Sequence, residues 1–173
     1  MKNGLKIKWL VSFIISLGLF STQIYAVDNQ GDQSVTGTNM QSNSDTNKSA
    51  GQAFLASNKT KPGVVTLPDG LQYKVVKEGT GAKPSAKDVV TVNYKGTLID
   101  GTEFDSSYKR GEPVSFPVNG VIAGWTEALQ LMKVGSIWEL YIPAELAYGA
   151  NGMPPVIAPN QTLIFTVELL KKS

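Results

Sequence analysis

The sequence predicts an α+β fold: a twisted antiparallel β-sheet curled into a half-barrel around one short α-helix. Two observations carry this. From residue 71 onward, apolar residues alternate with polar ones in short runs separated by Gly and Pro turns, the pattern of half-buried strands. In the same region a single stretch, Trp125 to Met132, repeats its apolar residues at spacings of three and four. A helix with one apolar face must cover a sheet with one apolar face, which places it on the concave side of the twist.

Leu71 to Lys77 reads as the first strand, opened by a Pro68-Asp69-Gly70 turn. Val90, Val92 and Tyr94 alternate with Thr91, Asn93 and Lys95 in a strand running to about Leu98, and Asp100-Gly101 signals a hairpin turn. Val114, Phe116 and Val118 alternate next. Pro113 and Pro117 cannot donate to a ladder, so this strand belongs at an edge or a bulge. In the helix, Trp125, Ala128, Leu129 and Met132 form the apolar face, and Gly135 follows Lys133 as a stop. Trp138, Leu140 and Ile142 alternate in the following strand, and Leu163, Phe165, Val167 and Leu169 in the last.

The N-terminal third differs in character. Lys2, Lys6 and Lys8 precede an almost wholly apolar run from Trp9 to Phe20, with a more polar stretch leading to Ala26, the order of a secretory signal peptide. The run is short for a membrane span of about 20 apolar residues, so cleavage after Ala26 and no stable membrane insertion are expected. Residues 27–61 read as a polar, disordered linker, because Asn, Gln, Ser, Thr, Asp and Gly bury too little surface to offset ordering entropy. Ala50, Ala53, Phe54, Leu55 and Ala56 allow a short helix near 50–58, or a frayed turn packing Phe54. The main domain is expected over residues 62–173.

Composition narrows the chemistry. The chain has no Cys and no His. Disulfides, thiolate or imidazole metal sites, Cys nucleophiles and His-based triads are therefore excluded. No metal and no cofactor are expected. Three of the 16 basic residues lie in the N-terminal segment, so the remainder, with 14 acidic residues, is close to neutral. That balance gives no electrostatic case for nucleic acid. What remains is carboxylate chemistry, lone hydroxyls, or a shaped apolar pocket that works without proton transfer.

Taken by periodicity alone, Tyr94, Trp125 and Phe165 are core residues, Asp105 with Arg110 is a surface ion pair of little consequence, and Gly149 to Pro159 is a surface loop stiffened by proline. A resemblance changes that weighting. The runs VTVNYKGTL (90–98), GTEFDSS (101–107), VIAGWTEAL (121–129), LAYGANGMPP (146–155) and TLIFTVELL (162–170) closely resemble FKBP-type peptidyl-prolyl cis/trans isomerases, in order and with near-standard spacing over about Leu67 to Leu170. The lead-in FLASNKTKPGVVTLPDGLQYKVV (54–76) resembles the macrophage infectivity potentiator branch of secreted bacterial FKBPs.

The resemblance implies an FKBP-like half-barrel and a pocket with Trp125 as its floor. Tyr94, Phe104 and Phe165 would be aromatic walls, with Val121, Ile122 and Ile157 as aliphatic lining. Asp105 and Tyr148 would be polar edge groups, with Arg110 pairing Asp105. The Tyr148 hydroxyl and the Ile122 backbone N–H would donate to the substrate carbonyl. Two rim positions depart from familiar eukaryotic members: Val114 stands where an aromatic is common and Met153 where a histidine is common.

The expected activity is rotation of X–Pro bonds in exported proteins, with proline-containing segments as substrates and macrolides of the FKBP class as inhibitors. The competing classes are a binding module for macrolides or proline peptides and a chaperone, each with incidental turnover. In the branch it resembles, a long helix and an N-terminal dimerisation segment precede the catalytic domain. Residues 27–61 look too short and polar to dimerise, so a monomer is expected, located in the periplasm or beyond it.

Overall fold

A computed structural model describes residues 34–173. The apolar N-terminal run and the cleavage position after Ala26 lie outside the described residues. Helix α1 spans Ser34–Asn58 and leads into strands β1 (Val64–Thr66), β2 (Gln72–Lys77), β3 (Val89–Leu98) and β4 (Glu103–Ser106). A one-turn helix, α2 (Ser107–Arg110), is followed by β5 (Val114–Pro117), helix α3 (Ala123–Leu131), β6 (Ile137–Ile142) and β7 (Leu163–Lys172).

All pairings are antiparallel, in the order β1-β2-β6-β7-β3-β4. Strand β3 is the longest ladder. Its first half pairs with β5, from Val89 with Pro117 to Val92 with Val114, and its second half with β4, from Lys95 with Ser106 to Thr97 with Glu103. Strand β5 is thus an edge, the place where Pro113 and Pro117 do least harm to a ladder. Register shifts interrupt β2–β6, β3–β4 and β3–β7. Such bulges bend strands and add twist, which curls the sheet around α3.

The concave face is built by the alternation in the sequence. Val90, Val92, Leu140, Ile142, Leu163, Val167 and Leu169 are fully buried, and Ala128, Leu129 and Met132 of the α3 region meet them. Each such side chain contributes about 1.5–3 kcal/mol of burial. Gly124 lets α3 sit close: a Cβ there would lie 2.6 Å from Ile142 Cγ2. The Thr126 hydroxyl donates to Val118 C=O at 2.8 Å, fixing the entry to the helix.

The polar run expected as a disordered tether departs most from the sequence reading, because Ser34–Asn58 is one continuous helix. Its stabilisation comes from a docked face. Ser44, Gly51 and Asn58 are buried, with Asn47 and Phe54 half-buried between them, spaced at steps of three and four. A face of polar and small residues carries no hydrophobic signature. Asn58 Nδ2 donates to Gln72 Oε1 at 3.0 Å, and Gln72 Nε2 returns to Leu55 C=O at 3.0 Å. Phe54 and Tyr141 pack with centroids 6.0 Å apart.

Candidate functional site

Between α3 and the open end of the sheet lies a small apolar hollow lined by Tyr94, Phe116, Val121, Ile122, Trp125 and Phe165. Trp125 is its floor. The indole meets Tyr94 edge-on at 5.3 Å, Phe165 at 5.2 Å and Phe116 at 6.1 Å. These T-shaped contacts set positive ring edges against π faces, which holds the rings apart and keeps the hollow open. The Trp125 Nε1–H is buried without a hydrogen-bond partner. The floor therefore carries a cost of roughly 1–3 kcal/mol that pure packing would avoid.

Phe104 stands behind Phe165, ring edge to face at 5.5 Å. Gly96 makes that approach feasible, since a Cβ there would lie 2.6 Å from Phe104 and 2.8 Å from Phe165. Ile157 is buried in the same apolar cluster, and Val114 packs against it without lining the hollow. Sequence reasoning missed Phe116. The available signal was its place two residues beyond Val114, on the same face of β5.

A polar cluster adjoins the hollow at Tyr94. The Tyr94 hydroxyl donates to Asp105 Oδ2, and Arg110 Nη1 donates to Asp105 Oδ1. Arg110 Nη2 donates to the Tyr94 hydroxyl at 2.8 Å, while its guanidinium lies 5.4 Å from the centre of the Tyr94 ring. This closed triangle exists because β4 delivers Asp105 opposite Gly96, and α2 returns Arg110 one turn later. Ser106 caps α2 by accepting from Lys109 N–H, and Gly111, at φ 77°, ends it by donating to Ser107 C=O and Tyr108 C=O. Ser107 Oγ accepts from Tyr94 N–H at 2.8 Å, tying α2 to β3.

Burial, aided by the hydrogen bond to Asp105, pushes the Tyr94 phenol up to about 12. Burial also pulls the Arg110 guanidinium down, but its bonds to Tyr94 and Asp105 outweigh that and hold it above its ordinary value. Tyr148 is raised further, by burial first and then by Tyr94 and Asp105 nearby. Tyr148 is thus a protonated phenol at neutral pH, electrostatically in touch with the triangle. Ile122 stands at the N-terminus of α3, where the first backbone N–H groups have no partner within the helix. Among the described residues no group of three or more Asp, Glu, His or Cys is placed to hold a metal.

A family model described as FKBP-type peptidyl-prolyl cis-trans isomerase matches residues 80–170, and one described as the domain amino terminal to FKBP-type peptidyl-prolyl isomerase matches residues 20–75. The chain belongs to the FKBP family. The outer membrane protein MIP of Legionella longbeachae is 60% identical over 124 residues, covering 72% of this chain and 53% of that protein. The peptidyl-prolyl cis-trans isomerase Mip of Coxiella burnetii is 59% identical, covering 72% and 54%. The chain thus spans about half the length of these curated relatives.

Among solved structures, FkpA from Escherichia coli superposes with a TM-score of 0.77 at 49% identity, covering 79% of this chain and 64% of that one. A peptidyl-prolyl cis-trans isomerase from Pseudomonas syringae gives 0.71 at 42% identity, covering 75% and 96%. The half-barrel is therefore the FKBP fold.

Proposed function

We propose that this chain is a peptidyl-prolyl cis/trans isomerase acting on exported proteins, with residues 62–173 as its catalytic domain. The observation that carries the reading is the aromatic hollow floored by Trp125 beside the Tyr94–Asp105–Arg110 triangle. An X–Pro bond rotates against a barrier of about 18–20 kcal/mol that comes from amide resonance. In the twisted state the C–N bond loses double-bond character and the carbonyl oxygen loses charge. A dry apolar hollow penalises the polar planar amide more than the twisted one, which is differential binding of a transition state. No nucleophile or proton relay is required, in keeping with a chain that has no His and no Cys.

Trp125, Val121, Phe165 and Phe116 would enclose the proline ring, with Phe104, Ile157 and Val114 packed behind and around them. The Tyr148 hydroxyl and Ile122 N–H would donate to the substrate carbonyl. Asp105, kept in place by Tyr94 and Arg110, would face the rotating amide. The same hollow suits the nonpolar rings of FKBP-class macrolides.

Residues 1–26 form a signal peptide in this reading, which sends the mature protein to the periplasm or beyond. The name of the Legionella longbeachae relative, outer membrane protein MIP, supports an envelope destination. Among the described residues no helix is long and apolar enough to cross a membrane. The docked face of α1 is turned onto its own domain, which favours a monomer.

The test is acceleration of X–Pro isomerisation in a short peptide by the purified chain, with and without a macrolide, beside Tyr148→Phe and Asp105→Ala. Macrolide-sensitive acceleration weakened by both substitutions is expected. Macrolide binding with no acceleration across several residues before proline would replace the enzyme with a binding module.

A further inference from the structure

Helix α1 meets the domain at the base of the loop whose Tyr148, Met153 and Ile157 belong to, or pack against, the apolar cluster around the hollow. The loop runs from Tyr148, through Met153 and Ile157, back to Asn160. Two rungs shape it: Met153 N–H donates to Ile157 C=O at 2.7 Å with the return bond at 3.0 Å, and Asn160 N–H donates to Gly149 C=O at 2.9 Å. Asn160 closes the base in the left-handed region, φ 58°, a conformation that Asn tolerates better than most residues.

Three contacts from α1 land on that base and none depends on apolar burial. Asn47 Nδ2 donates to Pro159 C=O at 2.9 Å. Asn160 Nδ2 donates to the Ser44 hydroxyl at 2.8 Å. Gly51 lies so close to Thr162 that a Cβ would come within 2.3 Å of Oγ1. Positions 44, 47 and 51 share one helical face, and they grip loop residues more than 110 positions away in sequence.

We propose that Ser44 and Asn47 of α1 are positioning residues for the substrate pocket, holding the base of the 149–160 loop so that Tyr148 and Ile157 keep their places. This rests on the isomerase reading for its consequence in catalysis, but not for the coupling itself. A loop with few buried apolar contacts opens locally at low free energy, and an external brace lowers the open population. A small displacement of a positioned donor weakens the geometry that the reaction needs. Neither Ser44 nor Asn47 touches the hollow, so they act through the loop alone.

The experiment compares the full chain with Ser44→Ala, with Asn47→Asp, which keeps the shape and removes the donor, and with Asn47→Gln, which keeps the donor on a longer arm. Hydrogen exchange is followed at Gly152, Met153, Ile157 and Asn160, with β3 as the internal reference. In parallel, KM and kcat for a short X–Pro peptide are separated by NMR line shape. Loss of one hydrogen bond is expected to raise loop exchange about fivefold or more, leaving β3 unchanged. It is also expected to raise KM several-fold more than it lowers kcat, with partial recovery in Asn47→Gln.

Unchanged loop exchange in both Ser44→Ala and Asn47→Asp would overturn the proposal. So would faster loop exchange accompanied by unaltered KM. A wild-type chain that does not accelerate rotation sinks the isomerase reading instead, and the exchange comparison still decides the coupling.

Discussion

At the scale of single residues, the hollow depends on side chains that keep it open as much as on those that line it. Gly96 is the sharpest case, because any Cβ there collides with Phe104 and Phe165 together. Gly96→Ala is expected to destabilise the protein by about 1–3 kcal/mol through overpacking. It should also weaken peptide binding, read by urea denaturation beside a peptide titration. Tyr94 has a pH signature as well as a shape. Its folded pKa of about 12 lies above the ordinary 10. The native state therefore holds this proton where the unfolded chain has lost it, and stability falls as pH rises from about 10 to 12. Tyr94→Phe should remove that part of the alkaline slope, leaving the parts due to Tyr141, also raised to about 12, and to Tyr148 and Tyr108, both raised chiefly by burial. Equal slopes in the two proteins would show that Tyr94 is not held as the triangle requires.

At the scale of elements, the strand alternations and the α3 spacing placed nearly every barrel element, because each strand buries one face and the helix one stripe. β1 and β4, three and four residues long, are too short for periodicity to speak, and the ladder partner decides them. Helix α1 is the opposite case: a long element without an apolar stripe, whose docked face of Ser44, Asn47, Gly51, Phe54 and Asn58 reads as linker composition. The candidate site divides similarly. Composition and spacing alone left Tyr94, Trp125 and Phe165 as core and Asp105 with Arg110 as a surface pair, and only the resemblance to a family singled them out. The closure of Asp105 and Arg110 onto Tyr94 depends on a register and a one-turn helix that no local pattern encodes. Packing of α3 yields its own prediction. Gly124→Ala gains helix propensity of up to about 1 kcal/mol yet drives a Cβ into Ile142. A net loss of about 1–2 kcal/mol is expected, seen as a lower urea midpoint at unchanged m. A neutral result would mean that α3 can slide, and with it the Trp125 floor.

At the scale of the whole molecule, the question is whether α1 and the half-barrel unfold as one unit. The boundary between them crosses a buried polar pair: Asn58 is fully buried, Gln72 is 3% exposed, Asn58 Nδ2 donates to Gln72 Oε1, and Gln72 Nε2 donates to Leu55 C=O. Undocking α1 would expose that pair and strip Phe54 from Tyr141 while the sheet behind stayed closed. The barrel has its own core, so removing residues 1–58 should leave it folded. The four lost bonds, Asn47 to Pro159, Asn160 to Ser44, Asn58 to Gln72 and Gln72 to Leu55 C=O, are worth about 4 kcal/mol, a fall of roughly 10–20 °C in Tm for a domain of this size. The full chain, sharing the pair, should melt in one calorimetric transition whose van't Hoff and calorimetric enthalpies agree. Two transitions, or a truncated barrel with the Tm of the full chain, would make α1 an independent appendage. The brace on the 149–160 loop would then lack the stability it needs, since a helix that melts first cannot hold Pro159 and Asn160 at the temperatures where the pocket still works.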